Sequence, residues 1–335
     1  MSEMVNPHDK FFKEVFSHKD TAGDFLANYL PEPVLNLLDR DRIEIVKESF
    51  IEKDLKECFS DILYKVFLSD SPAYLYMLFE HKSYPDRLTA LQVLEYMVKI
   101  WRLHLKQNPG KGLLPLIISL VVYHGTEPWR SGTRLTDLLT GPKEALTDYI
   151  PDFQFLLYDL TRYGDEDIKG MIVSRVGLLV MKHIFREDLP DVLKRGMELL
   201  TELSDTTRAL DYVETIIRYV INASDALSLK ELKTIIEQSY FQQKEGELMT
   251  LAEQLRREGL EQGLEQGQLE ATRDSVLDIL EARFEIAPQD IVKELKGIDE
   301  IAVLRQLRKK AVVVEGLEEF REMVRKAAGL SSEVV

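Results

Sequence analysis

The chain has 335 residues but only one cysteine, Cys58. A lone cysteine excludes an internal disulfide and any cysteine-based zinc-finger spacing. Long apolar runs are missing too. The longest candidate, GLLPLIISLVVYHG at 112–125, falls short of the roughly 20 residues a membrane span needs, and its β-branched content reads as a buried strand. The opening MSEMVNPHDKFFKEVF has acids where a signal peptide needs an uncharged apolar stretch, so no secretory segment is expected. A basic excess is also lacking: 43 Lys and Arg face 58 Asp and Glu, a formal net charge of −15. That balance weighs against strong non-specific binding to nucleic-acid phosphates. Much of the acid is local, however, in the glutamate-rich stretch 237–274 and the tail after it. Whole-chain charge does not set the charge of one cleft, so a local phosphate-binding site stays open.

What is present is the balance of a soluble globular protein, 45% hydrophobic and 30% charged. The length allows more than one folding unit, and a cytoplasmic location with no membrane partner is the simplest expectation. Residues 7–30 read as a helix with Phe11, Phe12, Val15 and Phe16 on one stripe, stopped by PEP at 31–33. IEIVKESF (43–50) alternates as a strand, and 60–83 reads as a hairpin. The helix predicted at 86–107 puts Leu91, Leu94, Met97, Val98 and Trp101 at helical spacing before NPGKG (108–112). Strands follow at 113–123 and 153–160, then a region that is helical to about residue 240. This order predicts an α/β protein with a mixed central sheet flanked by helices.

The organisation expected is a core over 1–140, a mostly helical continuation over 141–243, a long polar helix over 244–271 and a small helical region over 272–335. Leu277, Leu280, Phe284, Leu295, Leu304, Leu307 and Phe320 are the expected core of the last. Within the polar helix Gly259, Gly263 and Gly267 recur on one face, each costing about 1 kcal/mol relative to alanine. Such a face reads either as a partly frayed linker or as a place where helices of two chains approach closely. The second reading predicts a homodimer through the C-terminal helices.

The hairpin carries charge at its rim. SDSP (69–72) has turn composition. With the mirror point between Asp70 and Ser71, Asp61 would lie directly opposite Glu80, about 5 Å away between Cβ atoms. Lys82 would return to the same face two residues on. Opposed like charges destabilise a ladder, so a cation, a raised pKa or full solvent exposure must offset them. Carboxylate oxygens suit Mg²⁺. The plainer alternative is a pair of edge charges neutralised by the nearby lysine, and a one-residue slip would separate the acids.

Asp, then Glu-X-Lys across a hairpin, with helices before and after, resembles the PD-(D/E)XK nuclease core. Gln92 and Tyr96 in QVLEY resemble the Q-x-x-x-Y arrangement of RecB-type members. HDKFFKEVF (8–16), ESFIEKDLKECFSDILYKV (48–66), YMLFEHKSYPDRLTALQVLEYMVKIW (76–101) and LPLIISLVVYHGTEPW (114–129) are similar to the Rpn family, recombination-promoting nucleases also grouped as YhgA-like transposases. The resemblance covers most of residues 6–325. It implies a PD-(D/E)XK-like sheet with a helical C-terminal extension, and Mg²⁺-dependent hydrolysis of DNA phosphodiester bonds, with Mn²⁺ as a possible substitute. It implies Asp61, Glu80 and the His81 backbone carbonyl as metal ligands. Lys82 would orient or deprotonate the attacking water.

Gln92 and Tyr96 share a helical face and read either as hydrogen-bonding groups at that site or as a surface glutamine beside a partly buried tyrosine. Asp9 is a candidate further ligand or the cap of its own helix. His124, after the strand at 113–123, reads as structural. Two other functional classes fit the same residues: a non-catalytic protein-interaction module on a nuclease fold, and a nuclease acting on RNA or branched DNA.

Overall fold

The computed structural model describes residues 6–46, 62–80, 86–110 and 112–329, excluding the side chains of Phe79 and Glu80. Asn6 opens the first helix, its side chain accepting the His8 N–H at 3.1 Å, and Pro7 occupies the first turn. The helical stretch expected over 7–30 is two helices, α1 (Pro7–Phe16) and α2 (Lys19–Tyr29). The Thr21 hydroxyl donates to Val15 O at 2.6 Å and to His18 O at 3.0 Å, supplying at the break partners that a continuous helix would not need. A short helix α3 (Glu32–Leu35) follows.

Five strands form one sheet in sequence order: β1 (Glu44–Ile45), β2 (Ile62–Leu68), β3 (Ser71–Glu80), β4 (Leu116–Tyr123) and β5 (Leu156–Asp159). The first three are antiparallel neighbours, whereas β3–β4 and β4–β5 are parallel. The helix α4 (Thr89–Gln107) makes the β3-to-β4 crossover. Alternation then sorts side chains to two faces. Ile62, Tyr64, Val66, Leu75, Met77 and Val122 pack with α1, α2 and the helices that follow the sheet. Leu63, Tyr76, Leu78, Val121 and Tyr123 pack with α4. The expected mixed sheet flanked by helices is therefore what the chain forms.

One expected stripe is displaced. The α4 residues buried on the sheet are Ala90, Val93, Tyr96, Met97 and Ile100. Leu91 and Val98, expected in that stripe, are exposed, because α4 is apolar on more than one side.

Helices α5 (Ile172–His183), α6 (Leu189–Leu200), α7 (Thr206–Ala223) and α8 (Leu229–Glu237) complete the first unit. The 40-residue helix α9 (Glu245–Phe284) contains the division between two compact units, which falls after Glu253. In the second unit α10 (Gln289–Lys296), α11 (Ile301–Val313) and α12 (Leu317–Ala327) surround Leu280, Leu295, Leu304, Leu307 and Phe320, with Leu277 and Phe284 at the margin. Two arginines of α9 close the ends of its neighbours. Arg273 donates to Leu295 O and Ile298 O, and Arg283 to Ala311 O and Val314 O. Carbonyls left over at helix C-termini are thereby satisfied. Among the described residues no helix is long and apolar enough to cross a membrane.

Candidate active site

The hairpin turns on two residues. Ser69 (φ 46°) and Asp70 (φ 66°) both take left-handed backbone, the signature of a type I′ turn, whose twist matches the flanking strands. Leu68 therefore pairs with Ser71 and Ile62 with Met77. The mirror point lies between Ser69 and Asp70, not between Asp70 and Ser71 as the composition of SDSP suggested. The sequence argument for a direct opposition of Asp61 and Glu80 falls with it. The displacement is an even number of residues, so it leaves the alternation of faces unchanged. Pro72 becomes a strand residue opposite Phe67, lying before the β4 ladder begins at Ala73, where its missing N–H costs the sheet no bond. Asp61, His81 and Lys82 lie outside the described residues. Glu80 is described by its backbone, which ends β3 and pairs in parallel with Tyr123.

Around this end of the sheet two helix starts converge. On one face Tyr74 meets His104 at 6.2 Å between ring centroids and Tyr76 meets Tyr96 at 5.1 Å. These pairs fix α4 as running back along β3, so Gln92, one turn before Tyr96, is level with the C-terminal end of β3. Gln92 is half-buried and Tyr96 is 8% exposed. Both stand on or beside the sheet-facing side of α4, and neither is a free surface residue. The start of α4 is organised by Asp86, whose side chain accepts the Leu88 N–H at 2.8 Å.

On the other face stands the start of α1. Asn6 is the cap there, so Asp9 does not cap α1. Asp9 is half-buried in the first turn. Burial first, and then the Asp9 charge, push the Tyr219 hydroxyl well above its ordinary pKa. His8 is 5% exposed and its Nδ1 is 2.8 Å from the Tyr219 hydroxyl. The His8 ring lies 5.0 Å from that of His124, which stacks on Phe185 at 5.8 Å. His124 follows β4 directly and is buried, in keeping with a structural role, but it has histidine and tyrosine neighbours that its sequence context did not reveal. His8, Tyr219 and Phe185 were missed. The one available signal was the histidine next to Asp9 in HDKFF; nothing local ties it to a tyrosine 211 positions away.

The segment after His124 is tied down by backbone acceptance. Tyr123 donates its hydroxyl to Glu127 O at 2.8 Å, and the buried Asp159 carboxylate accepts the Trp129 N–H at 2.9 Å. Asp159 also accepts from Thr161 and pairs with Arg162. The conspicuous YHGTEPW stretch is thus explained as a folded loop. An open groove of about 440 Å³, lined by residues including Leu63, Lys65, Tyr74 and Leu103, lies toward the other end of α4 from Gln92. Among the described residues no three His, Cys, Asp or Glu side chains group to hold a metal. The donor set implied at the sheet end, two carboxylates and a carbonyl, is all oxygen and suits a hard divalent ion.

Fold and site together define a mixed-sheet α/β protein whose candidate chemistry lies at the carboxyl end of a parallel strand pair, a common place for sites in open sheets. The family described as "Putative transposase, YhgA-like" matches residues 6–211, and the chain belongs to it. It is 33% identical over 256 residues to the recombination-promoting nuclease RpnA of Escherichia coli K12, covering 76% of this chain and 84% of that protein. It is likewise 33% identical to the inactive recombination-promoting nuclease-like protein RpnE of the same organism, over 85% of this chain and 93% of that one. The recombination-promoting nuclease RpnC, also from K12, is 32% identical over 59% of this chain and 65% of its own length. No solved structure matches the chain with significance.

Proposed function

We propose that this protein is a Mg²⁺-dependent DNA endonuclease of the cytoplasm that hydrolyses phosphodiester bonds in the service of recombination. The observation that carries the reading is the convergence of the α1 and α4 starts on the end of β3, where Glu80 stands, in a chain similar to proteins named recombination-promoting nucleases. Asp61, Glu80 and the His81 carbonyl would hold the ion, with Asp9 a further oxygen from α1. When bound, Mg²⁺ or Mn²⁺ supplies a Lewis acid for the phosphate and lowers the pKa of a water. Lys82 offsets negative charge developing at the phosphate, and Gln92 orients the backbone by hydrogen bonding. Tyr96, packed on Tyr76, holds the first turns of α4 in place.

The test is cleavage of labelled single-stranded, duplex and junction DNA, and of RNA, by purified full-length protein. Asp61→Ala and Glu80→Ala are expected to remove Mg²⁺-dependent cutting while circular dichroism stays unchanged. Unaltered nicking by either variant would overturn the assignment. A preference for RNA or junctions would keep the chemistry and change the substrate.

One alternative has specific support. The net charge of −15 and the name of RpnE as an inactive relative favour a non-catalytic interaction module. Calorimetry separates the two: Mg²⁺ binding that Asp61→Ala abolishes supports the nuclease, and no binding by the wild type supports the module. The homodimer through the C-terminal helices is also proposed, supported by Leu260 and Leu264, 74% and 63% exposed beside the glycine row of α9.

A further inference from the structure

Helix α4 serves the sheet with one side and leaves a second apolar side open. Leu91, Val98 and Leu105 recur every seventh residue and are 41%, 37% and 44% exposed. Leu94 and Trp101, half-buried, alternate with them. The spacing is three, four, three, four, the a/d pattern of a helix-pairing seam. The patch widens at the Trp101 end, where the indole N–H donates to Pro115 O at 2.9 Å and holds the exposed Leu114 and Leu116 nearby. A row of exposed apolar side chains that continues into neighbouring ones is a candidate interaction surface.

Charge selects the occupant. Glu95 and Arg102 occupy the two e positions that border the seam; both are exposed, and neither is paired with a described residue. In an antiparallel pair of α4 helices, Leu94 can layer on Leu105 of a second copy and Val98 on Trp101, giving four apolar layers. That register sets Glu95 of each copy beside Arg102 of the other, twice. Sliding by one heptad sets Glu95 against Glu95, and a parallel pair sets neither charge against its opposite. Only one arrangement is both apolar inside and complementary at the rim.

We propose that this face of α4 is the interface of a two-fold dimer of this chain, antiparallel, with its axis between Val98 and Trp101. Such an isologous contact uses the same patch on both copies. It would present two candidate sites with the dyad symmetry that relates the strands of duplex DNA. That last consequence rests on the nuclease reading; the dimer does not.

The test uses the full chain in a Cys58→Ser background. Glu95→Cys and Arg102→Cys proteins, one of them tagged, are mixed and treated with a short bismaleimide. The expected product is a cross-link between the two different chains, with little from either protein alone. Adding Val98→Asp to both chains should abolish it while circular dichroism and the melting temperature hold. No cross-link in the mixture would overturn the proposal, and so would equal cross-linking of Glu95→Cys with itself. Association through other helices does not mimic this result, because the readout depends on the α4 register. Absence of Mg²⁺-dependent cleavage by the unaltered full-length protein, with cross-linking retained, would count against the nuclease reading alone.

Discussion

The unit that ends at Glu253 and the unit that follows it are held by different means. In the first, His8, Ser119, His124, Asp159 and His183 are buried among apolar side chains; in the second, among the described residues, Thr272 is the one buried polar side chain. Burying such groups costs several kcal/mol unless partners are supplied. The first unit therefore carries constraints beyond apolarity, while the second is an apolar helical core closed at its ends by Arg273 and Arg283. Three of these, His8, His124 and Asp159, lie at the sheet end proposed for the chemistry. The helical unit needs only volume and helix termini, which is why its core was easy to anticipate.

The largest expected effect tests whether the two units are separate in stability as well as in packing. Phe320 is fully buried in the second core, and Phe320→Ala should cost about 3–5 kcal/mol there. Both tryptophans, Trp101 and Trp129, lie in the first unit, so their fluorescence reports on that unit while far-ultraviolet circular dichroism reports on both. The circular dichroism melt should acquire an early transition and the fluorescence melt should stay in place. Coincident shifts would make the chain one cooperative body and dissolve the contrast.

A smaller effect sharpens the polar side of the comparison. Asp165 accepts from Lys182 at 2.6 Å and His183 at 2.8 Å and meets Arg195 at 3.1 Å, while His183 also reaches Asp188 at 2.8 Å. Burial alone would raise the Asp165 pKa; the Lys182 and His183 contacts outweigh it and hold the carboxyl well below the usual carboxylate range. A depressed folded pKa gives stability that is complete above the unfolded value, near 4 for a carboxylate, and disappears as pH falls through the folded one. Asp165→Asn should therefore cost about 2 kcal/mol at neutral pH, below the fully buried range because the carboxylate keeps some water. The gap between wild type and variant, read by urea denaturation, should narrow as pH drops below 4. A constant gap across that range would show that shape, not charge, holds the cluster.

The same contrast separates what sequence could and could not reveal. Local periodicity located α1, α4 and the second core, since Phe11, Tyr96 and Leu304 obey helical spacing that any chain must obey to bury them. It also kept Gln92 and Tyr96 together on one side of α4. The register at Ser69–Asp70 was harder, because non-glycine residues in left-handed backbone leave a weaker mark than an Asn-Gly pair would. Reading α4 as having one apolar stripe hid a second, since Leu91 and Val98 are as apolar as Val93 and Ile100. The His8–Tyr219 bond joins helices 211 positions apart, and the Asp165–Lys182–His183 cluster folds residues 17 and 18 positions apart onto one another, so neither follows from local periodicity.

The smallest expected effect bears on the glycines of α9, the one place where the simpler unit departs from plain helix-forming sequence. Among the described residues a Cβ placed at Gly259, Gly263 or Gly267 meets no atom within 4 Å, so none of those residues requires their absence of side chain. Gly263→Ala should then stabilise the helix by about 1 kcal/mol, visible as a raised melting temperature of the second unit. If the glycines exist for close approach of a second copy, the same methyl group must hold the backbones apart. Under the proposed C-terminal homodimer, light scattering of the full chain should show weaker association for the variant even as its helix becomes more stable. A gain in stability with association unchanged would take the glycine row out of the interface and leave the linker reading of α9 in its place.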